Sequence, residues 1–145
     1  MNLMKQFTKR TMRAVLWITM AGLLGCASTA YKGIQVTLSG SQEVPPATTA
    51  ASGTGNIVVS ADKSVSGAVT TTGIEATAAH IHIGATDKNG PVIIPLTKTS
   101  DNVWSVPAGA TLTDAQYDSY KAGDLYINVH SLKYKGGEIR GQLKP

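Results

Sequence analysis

The sequence has one cysteine, Cys26, in 145 residues. An internal disulfide is therefore excluded, and the fold must hold without a covalent staple. Histidine is almost as scarce, with three in the chain, and charged residues make up only 15%. The single phenylalanine (Phe7), all four methionines and one of the two tryptophans (Trp17) fall within the first 25 residues. Lys5, Lys9, Arg10 and Arg13 lie there too, unaccompanied by any acid, and nine basic residues face nine acidic ones afterwards. The formal net charge of +4 thus belongs to the leader, and the rest of the chain is neutral. A neutral domain lacks the basic stripe that a nucleic-acid partner requires. No phosphate-cradling glycine loop and no Ser/His/Asp arrangement is present; Gly53 and Gly55 read as turn and bulge residues.

What the chain does have begins with that leader. A basic segment, residues 1–13, precedes the uncharged run AVLWITMAGLLG at 14–25, the pattern of a secretory signal that is too short to span as a permanent helix. The junction Leu23-Leu24-Gly25-Cys26 resembles the lipobox of bacterial lipoproteins, which implies cleavage before Cys26 and acylation of its thiol. No thiol then remains for catalysis. The reading divides the chain into a signal peptide (1–25), a lipidated Cys26 with a short tether (26–33), and one domain (34–145). It expects secretion across the inner membrane and a lipid anchor. In a Gram-negative cell, Ala27 after the cysteine leans towards the outer membrane, facing the periplasm or the cell surface. Seven tether residues reach about 25 Å at most, which keeps the domain close to its membrane.

The domain is rich in Val, Ile, Thr, Ala and Gly, a strand-forming profile. Strand-like runs recur at Ile34–Gly40, Gly55–Ser60, Ser64–Thr71, Thr77–Gly84, Val92–Thr97, Val103–Val106, Leu125–Ser131 and Glu138–Leu143. Turn signals separate them at intervals of roughly ten residues, as in a sandwich or barrel. One stretch departs from the pattern. Thr113-Asp114-Ala115-Gln116 reads as a capping box, and Gly123 suits the position just past the helix, so a short helix is expected near 113–122. Leu112, Tyr117 and Tyr120 would pin it to the sheet.

Three strands place chemistry on one side. In Ala79–Gly84 the isoleucines alternate with His80 and His82; in Leu125–His130 the aliphatics alternate with Tyr126, Asn128 and His130; in Glu138–Leu143, Glu138, Arg140 and Gln142 share a face. If the aliphatic faces line the core, every histidine of the protein meets on the opposite, polar side. Imidazoles at i and i+2 lie about 6.6 Å apart along a strand, close enough to converge on one ion, and a third from a neighbouring strand completes a set suited to copper or zinc. The alternative is that these histidines hydrogen-bond backbone or Glu138 and help to order an exposed sheet face. In the metal reading Asn128 and Glu138 orient the rings. Glu138 and Arg140 read either as a surface ion pair or, for Arg140, as a group that orients an anion above the histidines or pairs across strands with a carboxylate. The tyrosines at 117, 120, 126 and 134 read as a binding surface or as packing with hydroxyls at the rim.

The blocks Leu38–Pro46, Ala79–Gly84, Asn89–Val92, Gly123–His130 and Gly137–Leu143, in this order, resemble the CHRD domain, first described in chordin and widespread in bacterial secreted proteins. The resemblance implies an all-β, Greek-key sandwich of immunoglobulin-like or Cu,Zn-superoxide-dismutase-like type, with one short helix. It implies no established activity. His80 and His82 also resemble the copper-binding pair on a strand of Cu,Zn superoxide dismutases, with His130 similar to a later ligand. A further histidine, a zinc loop and a disulfide are missing from that likeness, which argues against dismutase activity. The functional expectation is a lipid-anchored extracytoplasmic binding module with a copper (or zinc) site at His80, His82 and His130. The alternative is a metal-free structural or protein-interaction domain of the cell envelope, and a redox enzyme ranks third.

Overall fold

The computed structural model describes residues 32–145. The leader, Cys26 and the tether as far as residue 31 lie outside the described residues. Among the described residues nine strands form, β1 (Ile34–Ser39), β2 (Ser52–Val59), β3 (Val65–Thr72), β4 (Ala76–Ile83), β5 (Val92–Pro95), β6 (Thr97–Ser100), β7 (Val103–Ser105), β8 (Leu125–Ser131) and β9 (Ile139–Leu143), with one α-helix, α1 (Asp114–Lys121), between β7 and β8. All pair antiparallel in one sheet of order β5-β4-β8-β9-β1-β2-β3-β7-β6. Only Leu96 separates β5 from β6, yet these strands stand at opposite edges of that order. The sheet must therefore curl until its edges meet at Leu96. The β1–β9 contact is a narrow seam with the single partner pair Ser39↔Arg140. It divides the sheet into two facing layers, an all-β sandwich that is nearly a closed barrel.

Alternation explains the packing. Leu38, Ile57, Val69, Ile127, Ile139 and Leu143 are fully buried between the layers, each contributing about 1.5–3 kcal/mol relative to exposure. Where the structure departs from the sequence reading, packing is the reason. The run read as one strand over Val92–Thr97 is two, because the chain turns the corner at buried Leu96 into the fully exposed edge strand Thr97–Ser100. Strand β2 begins three residues before the expected Gly55, and Gly53 and Gly55 are buried, inward positions of it rather than turn or bulge residues. A Cβ at Gly55 would stand 3.0 Å from both Val36 Cγ1 and Val69 Cγ2, so its two neighbour strands leave room for hydrogen alone.

The helix forms as its capping box dictates. Gln116 N–H donates to Thr113 Oγ1 while Thr113 N–H donates to Gln116 Oε1, satisfying two otherwise orphaned donors. Gly123 follows it at φ +79°, the left-handed conformation glycine tolerates. Leu112 and Tyr120 are buried and seat α1 against the sandwich. It delivers the chain to β8, the central strand beneath the polar side.

Candidate metal centre

The outer faces of β4, β8 and β9 carry the polar residues, and the pairing sets their grid. His80 lies opposite Asn128, His82 opposite Tyr126, and Asn128 opposite Arg140. His130 pairs with Ala78, which brings it diagonally towards His80. One ligand nitrogen from each of His80, His82 and His130 lies within 4.8 Å of the others. Imidazole nitrogens bound to one ion at about 2.1 Å stand about 3.4 Å apart in tetrahedral geometry, so small side-chain rotations close the set.

Hydrogen bonds fix the tautomers. His82 Nδ1 donates to the Gly90 carbonyl at 2.9 Å, and His130 Nδ1 donates to the Lys135 carbonyl at 3.0 Å. Carbonyls only accept, so in both rings Nδ1 carries the proton and Nε2 keeps its lone pair. His80 Nδ1 lies 3.0 Å from His130 Nε2 and must be the donor of that bond. His82 Nε2 is buried and has no partner, an unusual state for a polar atom. Burial holds all three imidazoles below the ordinary histidine range. The neighbouring histidines push His80 down further, while the Gly90 and Lys135 carbonyls partly offset the shift at His82 and His130. Neutral imidazoles with free lone pairs are what a metal ion needs.

The polar side is not the open sheet face that one sequence reading expected. Three connections cover it: residues 40–51, 84–91 and 132–138. Asn128 and Glu138, expected to orient the rings, are engaged elsewhere. Asn128 Nδ2 donates to both Glu43 carboxylate oxygens at 2.9 Å. Glu138 accepts from Thr49 Oγ1 at 2.6 Å and from Ser131 Oγ. The rings take their orientation from main-chain carbonyls of two covering loops instead. Burial also raises the Glu43 carboxyl above its usual range, against the lowering pull of Asn128 and of the Arg140 charge.

Glu138 and Arg140 make no ion pair either. Arg140 is 1% exposed; its guanidinium donates to the Ala85 and Lys88 carbonyls at 3.0 Å, to Gln142 Oε1 at 3.1 Å and to Asn89 Oδ1 at 3.4 Å. It lies 3.5 Å over the Tyr126 ring, and that ring stacks at 4.9 Å and 12° on His82. The Tyr126 hydroxyl accepts from Gly90 N–H at 3.0 Å, so it holds the residue whose carbonyl orients His82. The tyrosines form no common surface. Tyr126 is buried here, Tyr117 and Tyr120 stack on each other along α1, and Tyr134 donates to the Thr48 carbonyl. Sequence reasoning assigned no role to Gly90, Lys135 or Glu43, although the Asn89–Val92 and Leu38–Pro46 blocks contain two of them; a main-chain carbonyl such as that of Gly90 or Lys135 leaves no mark on residue type.

A protein-family model described as the CHRD domain matches residues 34–143, the whole of the sandwich. Neither a curated protein nor a solved structure matches the chain.

Proposed function

The chain belongs to the CHRD domain family, and on that footing we propose that it is a metal-binding module which holds copper or zinc through His80, His82 and His130. The observation that carries this is the orphaned lone pair of buried His82 Nε2 beside the other two imidazoles. A domain that used histidine only to order its surface would give that atom a donor. His130 Nε2 is the second preset ligand. His80 joins when its Nδ1 proton moves to its own Nε2, which keeps the ring neutral and frees both nitrogens of the existing bond at once. Imidazole donors suit copper and zinc among the common metals, and three of them leave a further coordination position free. The module is proposed to work outside the cytoplasm on a lipid anchor at Cys26, because the lipobox-like junction precedes the domain by only a short tether.

The test is titration of tag-free protein with copper(II) and with zinc at neutral pH, followed by calorimetry. One ion per chain is expected. A protein that takes up neither ion supports the metal-free interaction domain, for which the His80–His130 hydrogen bond is the favouring observation.

A further inference from the structure

Arg140 is a buried cation behind a metal ligand, and nothing in the metal reading uses it. Among the described residues no carboxylate reaches ion-pair distance of its guanidinium; the ion pairs there are Lys63–Asp114 and Lys121–Asp118. Its hydrogen bonds go to carbonyls and amides, which satisfy its donors without cancelling its charge. Glu43 makes no hydrogen bond to Arg140; it acts on the guanidinium only through space, and its carboxylate oxygens accept from Asn128 instead. Arg140, Tyr126 and His82 form one stack, guanidinium on phenol on imidazole. A fixed positive charge therefore sits one ring behind a proposed ligand. The ligand group itself is three neutral imidazoles, with no carboxylate or thiolate among them.

We propose that Arg140 makes the three-histidine site discriminate by ionic charge, favouring monovalent copper over divalent copper. The inference rests on the metal reading above. The physical ground is Coulombic: a fixed cation repels a divalent ion twice as strongly as a monovalent one, and a neutral donor set does nothing to offset the difference. At this separation in a partly buried site, one unit of charge alters the ratio of the two affinities about tenfold. The arginine is a specificity-determining residue that acts through the Tyr126–His82 stack and touches no metal.

The experiment measures the affinity of the whole protein for each oxidation state. Copper(I) supplied as its acetonitrile complex and copper(II) as its glycine complex are each competed against a chromophoric chelator. Arg140→Gln should lower the copper(I)-over-copper(II) preference about tenfold, equivalent to about 59 mV in the one-electron potential. Arg140→Lys, which keeps the charge, should stay within about twofold of wild type. Asn89→Asp supplies a second variant that keeps Arg140, because Asn89 is exposed and its Oδ1 lies 3.4 Å from the guanidinium; it forfeits the Nδ2 bond to the Val44 carbonyl, so circular dichroism checks its fold. A carboxylate there offsets the charge while leaving Arg140 in place, and should shift the preference about threefold in the same direction. If Arg140→Gln does not fold, Asn89→Asp alone decides. An unchanged preference in the folded variants, with copper still bound one-to-one, overturns the role of Arg140 and leaves the metal site standing. Failure of wild type to bind copper in either state overturns the site and this inference together.

Discussion

At the scale of single residues the site is a set of donors and acceptors whose roles are forced. Two Nδ1 protons are committed to the Gly90 and Lys135 carbonyls, which leaves Nε2 of His82 without a partner and Nε2 of His130 accepting from His80 until a ligand displaces that bond. Asn128 serves the Glu43 carboxylate and not the rings. Asn128→Ala should therefore cost about 1–3 kcal/mol of stability, by leaving a buried carboxylate without its donor, while metal affinity stays near wild type. Urea denaturation alongside metal titration checks both halves. The pH dependence follows from the lowered histidine pKa values. In the folded protein the imidazoles shed protons that the unfolded chain still binds below about 6.5. Their contribution to stability is thus complete above that pH and declines as pH falls through the window beneath it. Glu43, with its raised pKa, acts with the opposite sign in the carboxylate range. Metal affinity should weaken across the same histidine window, because protons compete for the ligand lone pairs. Titrations stepped down from pH 7.5 for as long as the fold persists would show it, and an affinity that does not fall anywhere in that range would refute it.

At the scale of elements, strands carry the proposed ligands and loops aim them. The alternation of β4, β8 and β9 was legible in the sequence because one face of each is aliphatic. The helix was legible from Thr113 and Gln116. Strand β6 was not, since Thr-Lys-Thr-Ser is polar throughout and its pairing depends on the corner at Leu96. Nor was the covering of the polar side, because Lys88, Gly90 and Lys135 act through their main chains. The 132–138 connection shows what this costs in sequence freedom. Gly137 has φ +137°, and a Cβ there would lie 2.3 Å from Asn128 Oδ1 and 2.7 Å from Glu43 Oε1. Gly137→Ala should displace the turn, remove the Lys135 carbonyl from His130 and weaken metal binding about 10–100-fold, as loss of a ligand's supporting partner does. Thr113→Ala should cost about 1 kcal/mol through the lost helix cap, with metal binding unchanged, since α1 contributes no ligand.

At the scale of the whole molecule the two edges of a curled sheet meet, and one outer face is roofed by three loops over a buried polar layer. Hydrophobic patterning in the sequence sets the sandwich; the roof arises from long-range hydrogen bonds such as Arg140 to Ala85, 55 positions away. That is why Arg140 read as a surface charge and is in fact buried. The proposed lipid anchor belongs to this scale as well. Intact mass of membrane-extracted protein should show an acylated chain beginning at Cys26, and Cys26→Ser should release the domain or stall its processing; wild-type protein that stays soluble with residues 1–25 attached would refute the anchor. The central claim is that the three histidines, brought together by two strands, bind one metal ion. Calorimetric titration of the tag-free full chain with copper(II), wild type against His82→Ala, tests it most directly. The aliphatic face of Ile81 and Ile83 is untouched by this change, so the fold should persist while affinity falls on the order of 100-fold or more. A folded His82→Ala protein that binds copper as tightly as wild type would contradict the account.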